Sequence, residues 1–178
     1  GLESAGISAV IKHIPGHGRA EVDSHESLPK IDKGETDLLS RDFRPFVQLN
    51  NAVAAMTGHL LFPRIDPIYP VTFSKKIVKD VIRNLIGFKG VLISDDLSMN
   101  ALTGAMEYRL NKALEAGCDI ALHCNGDLQE MELIAKACPS MSNPVRERIE
   151  ILLKNITRVS ENRKIFDTEL LERLMFLE

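Results

Sequence analysis

Short apolar runs alternate with longer amphipathic segments along most of this chain. The short runs predict four β-strands, at residues 8–12, 52–59, 90–94 and 119–124. These runs are largely apolar at successive positions, which favours strands that are covered on both faces. The pattern therefore predicts an α/β fold in which helices pack against a parallel sheet.

The amphipathic segments that follow the strands have helical periodicity. Ser74 is in position to cap one helix and Gly87 to end it, whereas Pro45 is expected to kink or stop another. The predicted helices cover residues 34–51, 74–87, 103–117, 128–138, 144–164 and 167–178. Four strand–helix units are too few for a complete (β/α)₈ barrel, which takes about 250 residues. The chain is therefore expected to be half of such a barrel or a smaller open sheet.

Polar side chains stand where the predicted strands end. They are Lys12 and His13, then His59, then Asp95 and Asp96, and finally Asn125. Because the carboxyl ends of parallel strands lie at one edge of the sheet, these side chains are expected to share a rim, where active sites form. The alternative is that they only mark the points where strands stop.

The composition narrows the class of protein. Of 178 residues, 44% are hydrophobic and 26% charged, with a formal net charge of −3 and a pI near 6.0. This balance argues against a general nucleic-acid or membrane-surface binder, and the apolar runs are too short to span a bilayer. Cys118, Cys124 and Cys138 lack C-x-x-C spacing, which favours reduced thiols and a cytoplasmic location.

The loop after the first strand, KHIPGHGRAEVDSH, holds three of the five histidines. Asp23 and His25 are two residues apart, so in extended backbone their side chains point the same way. The carboxylate can then orient the ring and favour imidazolium, which tunes a general acid to near-neutral pH. An exposed turn without function is the alternative interpretation.

A metal site is a third interpretation of this loop, because His13 and His17 are four residues apart. That spacing suits a metal on a helix, but Pro15, Gly16 and Gly18 prevent a regular helix here. The glycines are better explained by a tight backbone path close to a ligand. A metal-dependent hydrolase would lose activity with chelators, whereas an acid/base site would not.

Two acids follow one another in the segment SDDLSM. Adjacent residues of an extended chain face opposite sides, so Asp95 and Asp96 are not expected to share a role. One is expected to point into the site, and the other to bond to backbone or cap the next turn.

The segments KHIPGHGRAEVDSHESLP and LIGFKGVLISDDLSM closely resemble signatures of glycoside hydrolase family 3, in its bacterial β-N-acetylglucosaminidase (NagZ-type) branch. MTGHLLFPRID and AGCDIALHCN also resemble that branch, so the resemblance runs from about residue 9 to residue 125. It implies a (β/α)₈ barrel of which this chain is the C-terminal half. The expected organisation is one partial domain over 1–178, with a helical segment from about 143.

The resemblance also implies roles for individual residues. Asp95 would be the nucleophile, and His25 paired with Asp23 the general acid/base. Lys12 and His13 would bind sugar hydroxyls. Such a pair of groups, one on each side of the scissile bond, is what retaining glycoside hydrolysis requires.

The implied activity is removal of terminal N-acetylglucosamine from peptidoglycan fragments, GlcNAc linked to anhydro-MurNAc peptides, during cell-wall recycling. The expected partner is this small carbohydrate, with no nucleic acid, membrane, metal or organic cofactor. The competing hypothesis is an inactive half-barrel that acts only in binding or assembly. It would associate with itself or with another polypeptide through its open sheet edges.

Overall fold

The computed structural model describes residues 7–161, with side chains as far as Lys154. Four strands form one parallel sheet in chain order, and they confirm the predicted α/β class. They are β1 Val10–Ile14, β2 Ala54–Thr57, β3 Val91–Asp96 and β4 Ile120–Leu122. Each of the four strands begins and ends within two residues of the predicted bounds.

Helices connect the strands and follow the sheet. They are α1 Glu35–Ser40, α2 Arg44–Gln48, a 3₁₀ turn Val71–Phe73, a π-helix Ile77–Leu85, α3 Met106–Ala116, α4 Leu128–Ala137 and α5 Asn143–Glu161. Over residues 7–161, none of these helices combines the length and the apolar character that a membrane crossing needs. The helix predicted over 167–178 lies outside the described residues.

The segment 34–51, predicted as a helix that Pro45 kinks or stops, forms two short helices instead of one. Helix α1 ends at Ser40, and α2 begins at Arg44 with Pro45 in its first turn. Proline is accepted in that turn because its missing N–H would have no helical partner. Asp42, between the two helices, is buried and accepts hydrogen bonds from Arg19.

The helix predicted over 74–87 is confirmed, although it winds as a π-helix. Its start is capped, since the Ile77 N–H donates to Ser74 Oγ at 3.0 Å. The wide turn is visible where the Ile86 N–H donates to the Val81 carbonyl, five residues earlier. Gly87 follows with a φ of +77°, a conformation that glycine adopts without a steric penalty.

The sheet is open within the described part of the chain, with β1 and β4 at its two edges. β1 pairs only with β2, and β4 pairs only with β3. On one face, Ala55 and Leu92 join an apolar core with Ile82 and Ala113 from the covering helices. Val10 of the edge strand stays 45% exposed. The helices therefore cover this face of the sheet, while Val10 on its first edge remains accessible.

A buried ion cluster ties the last helix to the sheet. The Asp119 carboxylate, 1% exposed, accepts from Arg83 at 2.9 Å and from Arg148 of α5 at 2.7 and 3.0 Å. It also accepts the Leu92 N–H at 2.9 Å. Replacing Asp119 with alanine leaves these donors without an acceptor. We expect the free energy of unfolding to fall by about 3–5 kcal/mol in urea titrations.

The matched control removes an exposed ion pair. Asp32 Oδ1 lies 2.6 Å from Arg64 Nε, and both side chains are largely exposed to solvent. Alanine at Asp32 should change the free energy of unfolding by less than about 1 kcal/mol. Equal losses for the two variants would mean that the Asp119 cluster does not hold the fold together.

Candidate active site

The strand register brings the predicted rim residues together. Lys12 is aligned with Met56, and Met56 with Ile93, so the carboxyl-terminal parts of β1, β2 and β3 lie side by side. His13 Nε2 consequently lies 3.5 Å from Asp95 Oδ2. Residues 82 positions apart in sequence thus meet at the carboxyl edge of the sheet, where parallel α/β folds carry their active sites.

Asp95 presents one carboxylate oxygen to this edge. Its Oδ1 accepts the N–H of Asp96 at 2.9 Å, so Oδ2 is the oxygen directed toward His13. The Asp95 side chain is 15% exposed, which leaves it accessible while fixing its orientation. Burial lowers the pKa of His13, and the Asp95 carboxylate opposes that shift only in part. A neutral His13 ring can therefore donate or accept a hydrogen bond at neutral pH.

Asp96 has the structural role that the alternation of side chains predicts for one of the two acids. Its Oδ1 accepts backbone N–H groups of Ser98 and Cys124, both at 3.0 Å, and its Oδ2 accepts the Ser98 hydroxyl at 2.5 Å. Burial opposes ionisation, but these hydrogen bonds outweigh it and lower the pKa of Asp96. Asp96 thereby anchors the turn after β3 to the end of β4.

Asp23 and His25 form a hydrogen-bonded pair, hereafter the dyad. Asp23 Oδ1 lies 2.8 Å from His25 Nδ1 and also accepts the His25 backbone N–H at 2.9 Å. These contacts raise the pKa of His25, with smaller contributions from the charges of Asp95 and Asp96, and they lower the pKa of Asp23. His25 is 75% exposed, and its Nε2 is the nitrogen available for proton transfer.

The loop that carries the dyad is held at both of its ends. Near the first end, Arg19 donates to Asp42 through Nε at 3.0 Å and through a second guanidinium nitrogen. Near the other end, Leu61 donates to the Pro29 carbonyl at 2.8 Å and accepts from the Ile31 N–H at 2.9 Å. The dyad lies between these anchors, on the exposed part of the loop.

A groove of about 700 Å³ runs beside the first part of this loop. Lys12, His13 and His17 contribute to its lining, and the rings of the two histidines have centroids 5.6 Å apart. Gly16 adopts a φ of +144°, and a Cβ there would lie 2.6 Å from the Asp42 carbonyl oxygen. The tight path expected of the glycines thus holds at Gly16, against protein backbone. At Gly18 an added Cβ would meet open space.

The sequence also predicts His59 and Asn125 at the open rim with Asp95, but the structure places neither of them there. His59 is fully buried, with both ring nitrogens hydrogen-bonded to the protein. Asn125 is exposed and bonds to Glu130 and to the Asp127 N–H instead of facing Asp95. Asn125 therefore fits the alternative interpretation, in which a polar residue only marks the end of a strand, whereas His59 lies behind the rim.

Sequence reasoning also missed two buried hydroxyls, those of Thr57 and Thr72, which join His59 behind the rim. The only local signal is the polar Thr57 inside an otherwise apolar strand. For metal ions, the side chains that the structure describes form no cluster of three or more His, Cys, Asp or Glu residues able to hold one.

Comparison with known proteins identifies the family. A model described as the glycosyl hydrolase family 3 N terminal domain matches residues 1–159. A beta-hexosaminidase of Idiomarina loihiensis is 34% identical over 163 residues, which are 90% of this chain and 49% of that protein. A beta-hexosaminidase of Aromatoleum aromaticum is 39% identical over 157 residues, 85% of this chain and 44% of that protein.

A solved protein structure is also similar to this chain. NagZ from Neisseria gonorrhoeae, in complex with N-trifluoroacetyl-D-glucosamine, is similar with a TM-score of 0.70 and 30% identity, over 92% of this chain and 48% of that one. The chain thus spans less than half the length of each of these three relatives. Its four parallel strands match part of a barrel domain, and the chain belongs to glycosyl hydrolase family 3.

Proposed function

We propose that this protein is a retaining exo-β-N-acetylglucosaminidase that acts on GlcNAc-anhydro-MurNAc peptides in cell-wall recycling. The observation that carries the proposal is the Asp95 carboxylate at the end of β3, 3.5 Å from His13 on the strand that leads into the loop of the dyad. The family membership and the beta-hexosaminidase relatives support the same chemistry. The sugar analogue bound to NagZ from Neisseria gonorrhoeae supports an N-acetylglucosamine substrate.

In the first step, Asp95 Oδ2 attacks the anomeric carbon and the bond to the leaving oxygen breaks. His25 gives its Nε2 proton to that oxygen, so the leaving group departs as a neutral alcohol. Asp23 holds Nδ1 and stabilises the charged ring before transfer. Lys12 and His13, at the end of β1, hydrogen-bond the sugar hydroxyls.

In the second step, neutral His25 takes a proton from water as the water attacks the same anomeric carbon. The ester bond to Asp95 breaks and the carboxylate is restored. Two inversions at one carbon give net retention. Because His25 acts as acid and then as base, its position on an exposed loop suits a group that must approach first the leaving group and then water.

The four strands are, in this proposal, the C-terminal half of the barrel. The support is the order of the motifs, with Lys-His on β1 and Ser-Asp-Asp on β3, together with the share of the relatives' length that the chain spans. Three free thiols, on Cys118, Cys124 and Cys138, favour a reducing compartment such as the bacterial cytoplasm.

The second candidate function is a binding or assembly module without catalysis. It is favoured by the open edges of β1 and β4 within residues 7–161 and by the exposure of Val10. Unpaired strand edges readily accept another chain. Dimers or larger assemblies of the 178-residue chain, without activity even in its native full-length context, would favour this function.

The test is product analysis with the native full-length protein. GlcNAc-anhydro-MurNAc peptide is the substrate, and proton NMR follows the anomer of the released sugar before it equilibrates. We expect the β-anomer first, and we expect chelators to leave the rate unchanged. Release of the α-anomer first, or no release at all, would refute the proposal, and sensitivity to chelators would favour the metal-dependent hydrolase.

A pH profile tests the dyad separately. His25 must be protonated in the first step, so kcat/KM falls as the pH rises through its pKa. Asp23 raises that pKa, first through its hydrogen bond and then through its charge. Asp23→Asn removes the charge, and the alkaline limb of kcat/KM should move to lower pH. The largest loss of activity is therefore expected on the alkaline side.

The control for this profile is Glu132→Gln on α4, which removes an exposed carboxylate that pairs with Lys136. Its pH profile should coincide with that of the unmodified protein. An alkaline limb that stays in place in Asp23→Asn would contradict the assignment of the dyad as the acid.

A further inference from the structure

Three polar side chains are buried directly behind Asp95. Thr57 ends β2, His59 follows two residues later, and Thr72 lies in the 3₁₀ turn, and all three are 0% exposed. Fully buried polar groups are retained only when they are hydrogen-bonded, and a connected network fixes the elements that it joins. This network joins the end of β2 and the 3₁₀ turn to the end of β3.

The hydrogen bonds form a closed ring that includes the backbone of Asp95 and Asp96. The Asp95 N–H donates to Thr57 Oγ1 at 3.4 Å, and Thr57 Oγ1 lies 2.9 Å from Thr72 Oγ1. Thr72 Oγ1 lies 2.8 Å from His59 Nδ1. His59 Nε2 completes this ring of hydrogen bonds by donating to the Asp96 carbonyl at 2.9 Å.

Only one arrangement of protons satisfies the neutral ring. A carbonyl oxygen can only accept, so Nε2 carries the hydrogen and Nδ1 must accept. Burial lowers the pKa of His59, which keeps the ring neutral. Thr72 therefore donates to Nδ1 at 2.8 Å, in preference to the Gly58 carbonyl at 3.4 Å, and accepts from Thr57. The Thr57 oxygen is then left with lone pairs for the Asp95 N–H, so every member has a defined role.

We propose that His59 and Thr72 are positioning residues, which hold the two peptide groups around Asp95 so that its carboxylate stays aligned with the anomeric carbon. Neither residue touches the substrate. The inference rests on the proposed function, since alignment matters only if Asp95 is the nucleophile. Asp95 Oδ1 already accepts the Asp96 N–H, so a shift of this backbone would carry Oδ2 with it.

The test compares Thr72→Val with Thr72→Ser in the native full-length protein. Valine has nearly the shape of threonine but leaves His59 Nδ1 without a donor, whereas serine keeps the hydroxyl. We expect Thr72→Val to lower kcat by about 10- to 100-fold with little change in KM, because misaligned supporting groups cost rates of this order. Thr72→Ser should recover most of the lost rate.

Two measurements separate alignment from simple loss of stability. Active-site titration with a fluorinated N-acetylglucosaminyl fluoride counts competent sites, so kcat refers to folded enzyme alone. The same reagent gives the rate at which Asp95 is labelled, which should fall in Thr72→Val in parallel with kcat. If Thr72→Val does not fold, Thr57→Val removes the adjoining hydroxyl and takes its place.

The outcomes are distinct. An active parent protein whose valine variant keeps kcat per competent site would overturn the positioning role and leave the proposed function intact. A loss that serine does not recover would also overturn it, because the hydroxyl would then not be the relevant group. An inactive parent protein would instead refute the proposed function.

Discussion

Alanine in place of Asp95 is expected to lower kcat by about 10⁴-fold or more, on natural and on activated substrates alike. The variant keeps the dyad but has no oxygen to attack the anomeric carbon, so no glycosyl-enzyme forms. Steady-state rates with a GlcNAc-anhydro-MurNAc peptide and with a nitrophenyl N-acetylglucosaminide measure the loss. Circular dichroism should find the fold unchanged, because Asp96 and not Asp95 anchors the turn after β3.

Azide distinguishes a lost nucleophile from other causes of inactivity. In Asp95→Ala, azide can fill the space of the carboxylate and attack an activated substrate directly. A single displacement inverts the anomeric carbon, so the product should be the α-glycosyl azide. Formation of the β-azide, or hydrolysis at the rate of the unmodified enzyme, would mean that another group is the nucleophile.

Alanine in place of His25 is expected to lower the rate on the natural substrate by about 10²–10⁴-fold, the usual contribution of a general acid. The loss should be much smaller in the first step with a nitrophenyl leaving group, because that group departs without a proton. Breakdown of the glycosyl-enzyme then limits turnover, since no base activates water. A burst of nitrophenol in stopped-flow experiments measures the two steps separately.

The azide test gives the opposite stereochemistry for this variant. Azide needs no base, so it should attack the glycosyl-enzyme on Asp95, accelerate turnover and yield the β-glycosyl azide. Equal losses on natural and activated substrates, without azide acceleration, would contradict the acid/base role of His25. Alanine at His17, which lies on the same loop outside the dyad, is the variant for comparison and should keep the ratio of the two substrate rates.

The sheet could be predicted from the sequence because its strands are buried apolar runs. Val91 and Leu92 are fully covered, and a run of this kind needs no knowledge of its neighbours to be recognised. Helix boundaries depended on contacts that the local pattern does not contain. The segment 34–51 has helical spacing throughout, yet the buried bond between Arg19 and Asp42 interrupts it.

The candidate site was predictable to the extent that parallel strands share an edge. That rule placed His13 near Asp95, and side-chain alternation separated the roles of Asp95 and Asp96. The same rule put His59 on the open rim, where it does not lie. Its partner Thr72 comes from a proline-rich connection that carries no periodic signal, so the sequence alone does not predict the buried network.

The most direct measurement is the site of covalent labelling in the native full-length protein. A fluorinated N-acetylglucosaminyl fluoride destabilises the oxocarbenium-like transition states but leaves a good leaving group, so the glycosyl-enzyme accumulates. Proteolysis and mass spectrometry of the trapped protein should place the sugar on the Asp95 carboxylate, in the peptide that contains GVLISDDLSM. A sugar attached to Asp96, to His25 or to any other residue, or hydrolysis with no covalent species at all, would contradict the assignment of Asp95 as the nucleophile.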